Sequence, residues 1–207
     1  MARRRKGIVG IEAAIVMIAF VIVAAALAFV ALNMGMSATQ KTKEAIGASM
    51  GEAGSSLMVD GDVVAWYDGT NITNVVVPIR ISSGKYPVDL SPNKTTVSLQ
   101  VGGTFYANIY STIDPTPKAP PVDIGNLLST VFNGTTDASA VIVFLDGDGD
   151  NVLEFSEKAL VLVQLNPAAN SYDTVKIEIK PPEGSPLVVE RVIPPSLPET
   201  AGPVTLG

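Results

Sequence analysis

The 207-residue chain is 47% hydrophobic and 16% charged, a balance that excludes a disordered polymer and suffices for one apolar N-terminal element plus one domain of ordinary size. It contains no cysteine and no histidine, so disulfide scaffolds, thiolate metal sites, Cys nucleophiles and His-dependent triads are absent. Net charge is −6, and Arg3, Arg4, Arg5 and Lys6 stand together at the start; without them ten basic residues face twenty acidic ones, a body that repels nucleic acid.

Behind this basic leader, residues 1–7, the chain reads as one long hydrophobic helix from residue 8 to about 60. Ala, Ile, Leu and Met dominate it, and the first proline is Pro78. From Ala13 to Leu32 no side chain is polar, a run of membrane-span length between Glu12 and Asn33. An ionised Glu12 beside that run costs several kcal/mol, in order of magnitude, unless a partner neutralises it. The second half of the segment carries Lys41, Lys43, Glu44 and Glu52 among small residues and is expected to leave the apolar environment. Gly35, Gly47, Gly51 and Gly54 each weaken the helix by about 1 kcal/mol relative to alanine. Gly47 and Gly51 also have the small-xxx-small spacing that permits close helix approach, or they mark a fraying end.

After Gly61 the period changes. In TVKIEIK, Val175, Ile177 and Ile179 alternate with Lys176, Glu178 and Lys180, a strand with one buried face. Similar runs at 63–67, 73–81, 95–101, 104–110, 140–145, 159–165 and 187–193 bring the count to eight short strands separated by Gly, Pro, Asn and Asp. The chain is therefore expected to be α+β: a long N-terminal hydrophobic α-helix followed by an all-β sandwich over residues 61–207. The piece DPTPKAPP at 114–121 reads as a rigid loop inside the sheet region, because neither half alone has strands enough to close a core. Trp66 and Tyr67 read as core or strand-edge aromatics.

The stretch DGDGDNVLEFSE, residues 146–157, has the spacing of a twelve-residue calcium loop. Asp146, Asp148 and Asp150 supply oxygens at alternate positions, Val152 a carbonyl, and Glu154 and Glu157 the ligands at the ninth and twelfth positions. Asn151 stands where such loops have glycine; Asn tolerates the left-handed turn, but the match weakens. A solvated turn is the plain alternative. No carboxylate pair has the acid, base or nucleophile neighbours that catalysis requires, so no enzyme is expected.

A basic leader before an apolar run is shared by secretory signal peptides, cleavable within AAALAF at 24–29, by signal anchors, and by prepilin-type leaders. RRRKG followed by IVGIEAAIVMIAFVIVAAALAFVALNMG resembles the class III signal of the type IV pilin superfamily, and within it an archaellin, the archaeal flagellin. The likeness is strong over residues 3–36 and general beyond. It implies cleavage by a membrane aspartyl peptidase between Gly7 and Ile8, which places Glu12 fifth in the mature chain. A new α-amino group at Ile8, positive near neutral pH, can then meet the Glu12 carboxylate of the same or a staggered neighbouring subunit, a pairing better read as a register device than as a stability gain.

That resemblance also implies a homopolymeric surface filament, a membrane-held precursor, contact with secretion and motor machinery, and no catalysis. A helix apolar all round must be buried all round, by lipid before assembly and by identical helices after it. Identical head-to-tail contacts give an open helical filament. The sequons at Asn71, Asn93 and Asn133 are expected glycosylation sites of an extracellular body. The rival readings are an adhesive pilin, a membrane-anchored extracellular binding module, or a secreted hydrolase.

Overall fold

A computed structural model describes residues 8–54, 57–118 and 121–206. Two compact units divide between Ser49 and Met50. The first is built on helix α1, Ile8–Gly54, 47 residues long, or about 70 Å at 1.5 Å per residue. Its large apolar side chains, from Ile11 through Met36 and at Ile46, are exposed within the chain. The helix stops at Gly54 rather than near residue 60, and Leu57–Val59 is already strand β1. Tertiary pairing explains the early stop: β1 aligns Leu57 with Ile81 and buries Leu57 in the β core, which a glycine-weakened helix cannot outbid.

The remaining elements are β2 (Val63–Tyr67), β3 (Ile72–Ile81), β4 (Val88–Asp89), β5 (Thr96–Val101), β6 (Thr104–Tyr106), β7 (Tyr110–Asp114), α2 (Ile124–Val131), β8 (Ser139–Asp146), β9 (Val152–Leu153), β10 (Lys158–Ala169), β11 (Thr174–Lys180), β12 (Leu187–Val192) and β13 (Gly202–Leu206). A seven-stranded sheet runs β13-β2-β3-β10-β8-β7, with β1 also on β3; a four-stranded sheet runs β12-β11-β5-β6; β4 and β9 form a separate pair. All ladders are antiparallel except β7 against β8.

The two large sheets close one core between them. Val75, Val77 and Ile79 of β3 and Val161 and Val163 of β10 belong to the same buried cluster as Leu99 of β5 and Ile177 of β11. The far face of the larger sheet is covered too. Leu128 and Phe132, in and just after α2, form a second buried cluster with Val76, Val141, Val143, Leu160 and Leu162. Two covered faces explain why β8 is buried without alternation from Ala140 to Phe144. The four-stranded sheet has one open face, and β11 keeps the strict period of two.

Three local departures from the sequence pattern have local causes. The run 104–110 breaks into β6 and β7 because Asn108 turns the chain, its Oδ1 accepting from the N–H groups of Val97 at 3.3 Å and Tyr110 at 3.1 Å. Pro78 is tolerated inside β3 because β1 ends opposite Ile79 and β2 begins opposite Val76, leaving no ladder donor to lose. The sheet domain also contains a helix: Asp123 caps α2 by accepting from Gly125 N–H at 2.9 Å and Asn126 N–H at 3.3 Å.

Candidate functional site

The surface most in need of a partner is that of α1. Leu, Ile, Val, Phe and Met lie on all its sides, so no stripe selects a single packing direction. Gly10–Lys43 is long and apolar enough to cross a bilayer by length and composition, and none of it is buried in the chain. Two hydroxyls of its more polar half are satisfied by the helix itself: Thr39 Oγ1 donates to the carbonyl of Gly35 at 2.8 Å and Thr42 Oγ1 to that of Ala38 at 2.9 Å. Back-bonding of this kind lets hydroxyls enter apolar surroundings.

Ile8 is the first helical residue described, and Gly7 lies outside the described residues. Glu12 is exposed and makes no ion pair among the described residues. It stands four positions after Ile8, about one helical turn, so the two positions share a face of α1.

The acidic loop is folded around its last residue. Glu157 is 7% exposed, and its carboxylate is spent on the loop backbone: Oε1 accepts from Asp148 N–H at 3.1 Å and Oε2 from Glu154 N–H at 2.9 Å. Gly147 lies so close that a Cβ there would stand 3.1 Å from Glu157 Oε1. Asp148 and Asp150 are turned to their own backbone, accepting from Asp150 N–H at 3.2 Å and Val152 N–H at 2.7 Å. Asp146 ends β8 opposite Lys158, and Val152 is held in the β4–β9 pair. Among the described residues no group of three or more acidic, His or Cys side chains is gathered to hold a metal. In this structure the stretch with the spacing of a calcium loop is folded as a chain of backbone caps, with Asp148, Asp150 and Glu157 all accepting from backbone N–H groups.

The three sequons occupy three settings. Asn93 is exposed in the turn between β4 and β5, and Asn133 is exposed in the turn after α2. Asn71 is half-buried in the tight β2–β3 turn, where its N–H donates to Asp68 Oδ1 at 2.8 Å and its carbonyl accepts from Asp68 N–H at 3.1 Å. Of the two aromatics read as core, Tyr67 is buried, and half-buried Trp66 packs against the α2 cluster.

One cluster has no signature in the sequence. Asp60, just after β1, pairs with Arg80 Nε of β3 at 2.9 Å and Lys158 Nζ of β10 at 2.6 Å, while its N–H donates to the Pro78 carbonyl at 2.9 Å. The Lys158 hydrogen bond holds the Asp60 carboxyl below its usual range against the opposing effect of partial burial. The first strand is thereby fastened to the centre of the larger sheet. Residues this far apart in sequence are joined only by the fold, β1 and β10 both pairing with β3.

The model of the archaeal-type flagellin family matches residues 7–191. Probable flagellin 1 of Aeropyrum pernix is 47% identical over 205 residues, covering 99% of this chain and 100% of the relative. The archaeal flagellum of Methanospirillum hungatei superposes with a TM-score of 0.67 at 21% identity, over 95% of this chain and 98% of that one. The crystal structure of archaeal flagellin FlaB1 from Methanocaldococcus jannaschii gives 0.61 at 24% identity, over 73% and 96%. The first of these two structural matches spans the long apolar helix and the β-rich domain that follows it, the fold the two chains share. A long apolar helix followed in the chain by a β-domain, matched along nearly its whole length by flagellins, places the chain in the archaeal-type flagellin family, whose members are structural filament proteins and not enzymes.

Proposed function

We propose that this chain is the subunit of an archaeal motility filament, in which α1 packs with copies of itself to form the filament interior and the β-domain faces outward. The observation that carries the reading is the helix: an apolar surface exposed on every side for some 30 residues is stable in water only when identical or lipid neighbours cover it. Identical neighbours in a repeated head-to-tail contact give an open helix when the rotation between them does not close a ring. Family membership favours this reading over an adhesive pilin or an anchored binding module.

Before assembly, the same helix is held in the cytoplasmic membrane, with Arg3–Lys6 on the cytoplasmic side. A prepilin-type membrane peptidase cuts between Gly7 and Ile8, and secretion and motor machinery then adds the subunit to the filament. Cleavage there removes the basic cluster, retains all of α1, and creates the amine that Glu12 meets on the same helix face. Glycans are supported at Asn93 and Asn133 by exposed turns, and less at Asn71, whose backbone is engaged in its hairpin. Calcium in the loop 146–157 is supported by spacing alone and requires Glu157 to leave both of its backbone donors.

Electron micrographs of surface filaments, with mass spectrometry of their protein, test the reading. Filaments whose subunit begins at Ile8 are expected. A subunit beginning at Met1 or after Ala24, or a chain found only as membrane monomer, overturns it.

A further inference from the structure

The sheet domain is strongly acidic: between residues 57 and 206 eight basic side chains face seventeen acidic ones. Four of the eight are committed inside the fold, Arg80 and Lys158 to Asp60, Lys94 to Asp89, and Lys118 to Asp114. Lys176 and Lys180 make no ion pair among the described residues, and both lie on the open face of the four-stranded sheet. On that face the register aligns Phe105, Gln100, Lys176 and Glu190 across the four strands, and sets Glu178 beside Val188. Phe105, Val188 and Val192 are 63%, 47% and 56% exposed, half of the large exposed apolar side chains of the domain. Two lysines against Glu178 and Glu190 make this face neutral in a domain of net negative charge.

Resting on the subunit reading above, we propose that the open face of the four-stranded sheet is a docking surface for a second copy of this chain, receiving that copy's acidic surface at Lys176 and Lys180 beside the apolar rim of Val188 and Val192. Charge identifies the occupant. Copies of an acidic domain repel one another wherever acidic surfaces meet, so a lateral contact forms where one copy offers uncommitted cations and apolar area. A filament contact is heterologous, so this face meets a different surface of its neighbour.

The test uses the full-length chain in cells lacking their own copy, with filaments sheared off and weighed against processed chain in the membrane. Lys176→Glu and Val192→Asp are expected to lower filament recovery about tenfold at unchanged chain level, the scale of losing one central contact. Lys176→Arg keeps the charge and should recover parental yield. Thr136→Glu, which adds a negative charge on the exposed loop after α2, should match it as well. Parental yield and heat resistance in filaments of Lys176→Glu and Val192→Asp would overturn the contact alone. A parental chain that forms no filament would overturn the subunit reading and the contact with it.

Discussion

A methyl group added to Gly125 would stand 2.6 Å from Cη2 of Trp66, so the indole of β2 occupies the space that any other residue at the start of α2 would need. The rigid ring cannot fold away, and the helix or the ring must shift. Gly125→Ala is expected to destabilise the β-domain by about 1–3 kcal/mol, the usual cost of overpacking, despite alanine's better helix propensity. Denaturant titration of the detergent-solubilised chain checks this, and an unchanged midpoint would show that the seat of α2 is soft.

Trp66 and Gly125 also show where sequence reading ends. The strands β2, β5, β8, β10, β11 and β12 were legible because each carries a run of β-branched residues or a period of two. The helix α2 does carry a helical signal, Ile124, Leu127, Leu128 and Val131, but eight residues between turn-forming segments are too few to stand out beside eight strands. Strands β4 and β9, two residues each, exist only because they pair with one another. The place of Glu12 at the head of the apolar helix was legible because a lone acid beside an apolar run is conspicuous in one dimension. The use of Glu157 was not, because spacing describes where carboxylates stand along the chain and not which backbone N–H groups turn toward them.

Glu157→Ala is expected to cost about 1–3 kcal/mol, since it leaves the N–H groups of Asp148 and Glu154 without their buried acceptor. Asp150→Ala, which removes a single cap in an exposed part of the loop, should cost less than about 1 kcal/mol. Equal losses for the two variants would mean that Glu157 does not close the loop. Repeating the melts in millimolar calcium and in chelator adds an independent reading: a calcium-dependent rise that Glu157→Ala abolishes would show the loop reorganising around the ion.

Acid should weaken the domain in a window set by Asp89. Hydrogen bonds from Lys94, at 2.6 Å, and from Ser91 hold its carboxyl down at about 2. A carboxyl depressed in the folded state contributes stability above its unfolded value, near 3.9, and loses it as pH falls toward the folded value. Asp89→Asn should therefore cost on the order of 1 kcal/mol at pH 7, allowing for solvent screening of an exposed lysine, and almost nothing near pH 2. Urea midpoints of parent and variant at pH 7, 4 and 2 check the sign: a gap that widens on acidification would contradict it.

Glu12→Gln separates processing from assembly. The substitution leaves the leader and the Gly7–Ile8 bond untouched and keeps the size of the side chain, so cleavage should proceed at the parental rate. What it removes is the counter-charge to the amine that cleavage exposes one helical turn away. Once identical apolar helices surround that amine, an unpaired charge costs about 3–5 kcal/mol per subunit, whereas the amine of a membrane-held monomer can still reach the interfacial water. The expected phenotype is processed chain accumulating in the membrane with filaments lost or much shortened, and Glu12→Asp should restore part of the yield because the charge remains on a shorter arm. Immunoblots that resolve precursor from mature chain, read beside filament counts, decide the matter: normal filaments from Glu12→Gln would show that the carboxylate does not set the register of α1.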